Sequence, residues 1–172
     1  VTPLGDWTLV MFSIRNEDTD GQVAWLQEQL SKLERIILVG HYPFIPSRNG
    51  GYCHEWGYSR IGAVIPQLTE LIKKNDTRVR AYFCGHQHIN SRMPIGNAHQ
   101  IVTGSVGLST CCYRALDIQA DKIDVTTHRL DGISNWLDDA MNPDRSFDED
   151  HPTFESYQWG NDNERTFEIH PV

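Results

Sequence analysis

The sequence predicts an α/β fold, and three observations carry that reading. Apolar runs at 7–14, 36–39 and 79–84 are too continuous for half-exposed strands and read as buried ones. Between them, Val23, Leu26, Leu30 and Leu33, and then Ile61, Val64, Ile65, Leu68, Leu71 and Ile72, recur at helical spacing. After 84 the pattern changes to short strands at about 99–104, 112–118 and 122–128, the last two joined by Gln119-Ala120-Asp121 as a hairpin. Strand, helix, strand, helix, strand and then a run of shorter strands make one sheet flanked by helices, with part of a second sheet packed on it.

Each element has its own justification. Gly5-Asp6 reads as a turn before the first strand, and 15–21 is a polar loop before the first helix. The strand at 36–39 leads into a loop at 42–58 that is rich in Pro, Gly and aromatic residues; loops of that length without periodicity are often functional. Pro66 sits inside the second helical pattern and either kinks that helix or marks its first turn. Beyond 131, Asn142-Pro143-Asp144, Asp150-His151-Pro152 and Gly160-Asn161-Asp162-Asn163 are turn chemistry. Trp136, Phe147, Phe154, Tyr157, Trp159 and Phe167 are interspersed there, more aromatics than a disordered tail carries. The expectation is a body at 1–130 and an acidic, aromatic-containing extension at 131–172 docked on it.

Composition narrows the function classes. A chain of 172 residues is long enough to bury a core. Its formal charge is −8, and 131–172 holds eleven carboxylates against only Arg145 and Arg165, so the acidic excess lies in the extension. A near-neutral body with an acidic tail lacks the basic footprint of a nucleic-acid binder. No apolar run approaches the ~18 residues that span a bilayer. Of the four cysteines, Cys84 ends a buried strand and reads as packing, and Cys111 and Cys112 are too close along the chain to bridge each other. Cys53 remains free to pair with either of them.

The chemistry-bearing pattern is Gly40-His41 after the strand at 36–39, and Gly85-His86-Gln87-His88 after the strand at 79–84. Two histidines at i and i+2 project to one side of an extended chain, and a glycine before each lets backbone pass close to an ion. Ligands of open α/β sheets bind at the carboxyl ends of strands, so His41, His86 and His88 can converge there as metal ligands. Gln87 should point the other way. Arg48 is a candidate for binding an anionic substrate, because a guanidinium fork matches phosphate. His99, His128, His151 and His170 read as structural or solvent-facing, the acidic stretch at 142–150 as a solvated turn without calcium-loop spacing, and Thr103-Gly104-Ser105-Val106-Gly107 as a positioning segment.

Val39-Gly40-His41-Tyr42-Pro43 followed by Cys84-Gly85-His86-Gln87-His88, with the helix Gln22-Val23-Ala24-Trp25-Leu26 before them, resembles the C-terminal half of a calcineurin-like metallophosphoesterase, closest to the purple acid phosphatases. The similarity runs from about residue 7 to about 128. It implies the second half of a two-sheet mixed β-sandwich flanked by helices, and hydrolysis of phosphate esters at a dinuclear centre of Fe, Zn or Mn. His41 and His86 would bind one metal and His88 the other. His54, in the loop where purple acid phosphatases place histidines that meet the phosphate, would bind substrate and assist the leaving group. The family's Asp-x-His, metal-binding Gly-Asp and Gly-Asn-His segments are absent, and the chain opens on Val1, so a fragment or one piece of a cleaved protein is expected, completed by an N-terminal half in cis or on a second chain. The resemblance leans toward a secreted or periplasmic protein. The alternatives are a non-enzymatic binding or structural module that kept the fold, and a lone zinc site made by the three histidines.

Overall fold

The computed structural model describes residues 1–14, 18, 20–48, 64–107, 110–131 and 149–171. Their order is β1 (Thr2–Leu4), β2 (Trp7–Met11), α1 (Gln22–Leu30), β3 (Ile36–Val39), α2 (Ile65–Lys74), β4 (Val79–Cys84), β5 (Ser91–Ile95), β6 (Ala98–Val102), β7 (Cys112–Ile118), β8 (Ile123–Arg129), α3 (Phe154–Trp159), α4 (Asp162–Arg165) and β9 (Thr166–Ile169). They form a mixed α/β structure with two sheets. The larger has strand order β1-β2-β3-β4-β6-β5, and the smaller has order β7-β8-β9. Strands β2, β3, β4 and β6 run parallel; β1 and β5 close the two edges antiparallel to their neighbours.

Strand alternation builds two cores from one sheet. Val10, Ile36, Leu38, Tyr82 and Val102 point to the face covered by Leu26 and Leu30 of α1 and Leu68 and Ile72 of α2. Trp7, Ile37, Ala81, Phe83 and Ile101 point to the other face and meet Ile123 and Val125 of β8 and Phe167 and Ile169 of β9. Buried on both sides, the central strands carry the continuous apolar runs that such strands require.

The helix ends explain their boundaries. α1 has no capping side chain at Gly21; instead the Asp18 carboxylate reaches over to accept from the Gln22 and Val23 N–H groups at 2.6 and 3.0 Å. Pro66 lies in the first turn of α2, where the missing N–H has no helical partner to lose, so it starts the described helix and does not kink it. Lys73 and Lys74 fall in the last turn and complement the helix dipole.

Three strands lie outside the predicted set. β1 forms a hairpin with β2 around Gly5-Asp6, Gly5 taking the left-handed conformation at φ +60°. β5 contains Pro94, which a strand tolerates at a sheet edge. β9 pairs antiparallel with β8, Phe167 opposite Val125 and Ile169 opposite Ile123, so the end of the chain is part of the smaller sheet. The first strand is shorter than predicted, ending at Met11, and β6 is shifted to Ala98–Val102.

Candidate metal centre

The parallel pairing of β3 with β4 decides where the first histidines meet. Val39 lies opposite Phe83. The ladder continues past both strand ends, with the Gly40 N–H donating to the Phe83 carbonyl and the Gly85 N–H to the His41 carbonyl, each at 3.0 Å. His41 is therefore level with Gly85, one residue before His86. Their imidazoles face one another, His41 Nε2 3.2 Å from His86 Nδ1, with ring centroids 5.1 Å apart at 74°. Tyr42 packs against both rings with centroids 4.7 Å from each.

Gly40 is required by a close approach. A Cβ there would lie 2.6 Å from Tyr82 Oη and 3.1 Å from the Phe12 ring. The Tyr82 hydroxyl donates to the Tyr42 carbonyl at 2.6 Å, and its ring stacks on Phe44 at 4.3 Å, so a buried aromatic column supports the backbone that carries His41. Burial raises the Tyr82 phenol well above its usual range, which keeps it a neutral donor. From the neighbouring strand, the buried Gln100 amide accepts from the Phe44 and Ile45 N–H groups at 2.6 and 3.1 Å and donates to the Ile45 carbonyl at 2.8 Å. No local pattern marks Gln100 for that task.

The 85–88 segment is not extended, which corrects the geometric premise for His86 and His88. Both have left-handed backbones, at φ +68° and +56°, and the Gln87 N–H turns back to the Gly85 carbonyl at 2.8 Å. Such conformations cost on the order of 1–3 kcal/mol each in a non-glycine residue and persist where the surroundings hold them. Within that turn His86 faces His41. Among the described residues no three His, Cys, Asp or Glu side chains are placed to hold one ion. His88 is partly buried, and burial first, then the nearby His41, lowers its imidazole below the ordinary range.

The His41 Nε2–His86 Nδ1 contact is at hydrogen-bond distance, and that distance can be compared with the spacing of two ligands on one ion. Two imidazole nitrogens bound at ~2.0–2.1 Å with a tetrahedral angle between them stand about 3.3 Å apart, close to the 3.2 Å seen. No known family's sequence profile matches this chain, and no curated protein does either.

His54 lies outside the described residues. Arg48 is described, and it is not placed for substrate. It is 4% exposed, with Nη1 paired to the Glu164 carboxylate and Nη2 donating to the carbonyls of Asn90 at 2.7 Å and Tyr157 at 2.8 Å. A guanidinium so committed has its planar fork turned to the C-terminal segment, and the phosphate-pairing expectation gives way to a role in docking that segment.

Asn90, two residues after His88, is the residue that sequence reasoning passed over. Its N–H donates to the Gln158 carbonyl at 2.8 Å, its Nδ2 to the Trp159 carbonyl at 3.2 Å, and its Oδ1 accepts from Gly104 N–H at 3.0 Å. The Gly104 N–H thereby ties the 103–107 segment to the loop after His88. Cys84, Cys111 and Cys112 are free and buried, while Cys53 lies outside the described residues. His128 stacks on Tyr113, His151 is hydrogen-bonded to Glu164 at 2.8 Å, and His170 to Glu168 at 3.0 Å.

Proposed function

We propose that this chain is the C-terminal half of a metallophosphoesterase of the purple acid phosphatase type, contributing histidine ligands to a dinuclear centre that hydrolyses phosphate esters. The observation that carries this reading is the apposition of His41 and His86 at the carboxyl ends of adjacent parallel strands, at a separation suited to one metal ion. His41 and His86 would hold one ion, and His88 would turn to a second ion whose other ligands come from polypeptide outside this chain. A bound metal pair supplies Lewis acidity and an activated water for in-line displacement at phosphorus. The chain's own residues orient the imidazoles: Tyr42 buttresses both rings, and the Tyr82 and Gln100 contacts fix the loop that carries His41.

Exposure on one face of β2 rises toward its carboxyl end. On the face that the smaller sheet covers elsewhere, Trp7 is buried, Leu9 partly buried and Met11 55% exposed, so cover thins along β2 toward the strand ends that bear the histidines. The 440 Å³ groove between α1 and α2, lined by Val23, Gln27, Pro66 and Leu71 among others, includes none of these histidines.

The test compares the chain alone with the chain supplied with an N-terminal half carrying the family's Asp-x-His, Gly-Asp and Gly-Asn-His segments. With Zn, Fe or Mn present, residues 1–172 alone should show little or no turnover of a chromogenic phosphate ester. The completed protein should turn it over, and His86→Ala should abolish that turnover. Robust hydrolysis by the isolated chain, lost in His88→Ala, would refute the incomplete-site reading; a completed protein that stays inactive would refute the enzyme.

A further inference from the structure

We infer that residues 149–171 form a strap that sets the two histidine-bearing loops relative to each other, with Glu164 as its positioning residue; this rests on the reading of His41 and His86 as one site. The strap reaches both loops through buried polar contacts. From the loop after His41 comes Arg48, which pairs with Glu164 and donates to Tyr157 of the strap and to Asn90 of the other loop. From the loop after His88 comes Asn90, whose N–H and amide are taken up by the Gln158 and Trp159 carbonyls of the strap. One guanidinium thus joins the His41 loop, the His88 loop and the strap at a single point.

Glu164 is held on every side. One carboxylate oxygen receives Arg48, and the other receives His151 Nε2 and the Asn161 N–H, both at 2.8 Å. Its carbonyl accepts from Arg114 at 2.9 Å, which ties the strap to β7. Gly160 lets the strap approach: at φ +81°, a Cβ there would lie 2.6 Å from the Asn90 carbonyl oxygen. The left-handed backbones of His86 and His88 carry a conformational cost that contacts around them must offset. The span from Arg48 to Glu164 is 116 residues in sequence, so the support is tertiary in origin.

The experiment follows the histidine pair directly in the full 172-residue chain, without metal. With selectively labelled histidine, the nuclear Overhauser cross-peak between His41 and His86 ring protons reads their apposition, amide exchange reads the strap, and thermal unfolding reads the fold. Gly160→Ala pushes the strap off Asn90 and leaves the charged groups unchanged. Arg48→Lys keeps the charge facing Glu164 but removes the fork that reaches the two carbonyls, and it carries the test should Gly160→Ala fail to fold. The expected result is a cross-peak in the wild-type chain and its loss in the variants, with faster exchange at 156–169 and a folded body. A strap that only adds stability would lower the unfolding temperature and leave the cross-peak in place, which would overturn the inference. Absence of the cross-peak in the wild-type chain would overturn the site reading beneath it, a distinguishable outcome.

Discussion

Gly40→Ala combined with Tyr82→Phe tests whether the aromatic column excludes a side chain beside His41. The alanine Cβ would sit 2.6 Å from Tyr82 Oη and 3.1 Å from Tyr82 Cε2, inside the separations real Cβ atoms keep. Tyr82 cannot swing away, because it is fully buried and stacked on Phe44 at 4.3 Å and Phe12 at 5.7 Å. Overpacking of this kind costs about 1–3 kcal/mol. Displacing the hydroxyl from the Tyr42 carbonyl leaves a buried polar group unpaired at about 1–3 kcal/mol more, and the lower entropy of the unfolded alanine chain offsets about 0.4–1 kcal/mol. Gly40→Ala should therefore destabilise by about 2–4 kcal/mol, whereas Tyr82→Phe should cost about 1 kcal/mol for the lost hydrogen bond. In the double variant the worst contact is gone, so the two effects should fall short of their sum by about 1–2 kcal/mol. Urea unfolding followed by tryptophan fluorescence measures all four corners of the cycle. Additivity within about 0.5 kcal/mol would refute the reasoning, since the hydroxyl would then not be what keeps position 40 bare.

Two further expectations concern protons and thiols. Burial first, then Arg92 and Arg80, push His99 down to about 4, so between there and the unfolded value near 6.5 the unfolded chain binds a proton that the folded chain refuses. Stability should fall as pH drops through that window, by about 1–2 kcal/mol after solvent screening, and level off below it; His99→Gln should flatten this part of the profile, and an unchanged slope would remove His99 as its source. Burial raises the Cys84 thiol far above its ordinary range, so native protein treated with iodoacetamide at pH 8 should leave Cys84 unmodified until urea unfolds it. Modification at the rate of a free thiol, seen by peptide mass spectrometry, would contradict the buried end of β4.

The parts of the fold legible in the sequence are those where local pattern and tertiary position agree. β3, β4 and β7 coincide with their predicted spans because they are apolar or alternating runs without interruption. Ser91–Ile95 was not legible because its Pro94 argues against a strand, and only the edge position makes the proline tolerable. Thr166–Ile169 was hidden by its acidic, turn-rich surroundings, although Phe167 and Ile169 alternate with exposed Thr166 and Glu168 as a half-buried strand should. At the site, the meeting of His41 with His86 follows from two strand ends in parallel register. The left-handed backbones of His86 and His88 have no sequence signature beyond Gly85, and so the direction of His88 could not be read. Arg48 is the instructive case: its chemistry suited phosphate equally well, and only a partner far along the chain settled which anion it meets.

Pro94 also bears on how copies of this protein behave toward one another in concentrated solution. A sheet edge normally offers a row of free N–H and C=O groups onto which a neighbouring chain can add a strand, the first step of aggregation. On the β5 edge that row is broken at a residue with no N–H to offer, with Arg92 charged two positions before it. An intruding strand would lose a hydrogen bond at the fourth position of a five-residue strand. The same substitution that would make this strand easier to recognise, proline to a β-branched residue, would also make it easier for another molecule to pair with.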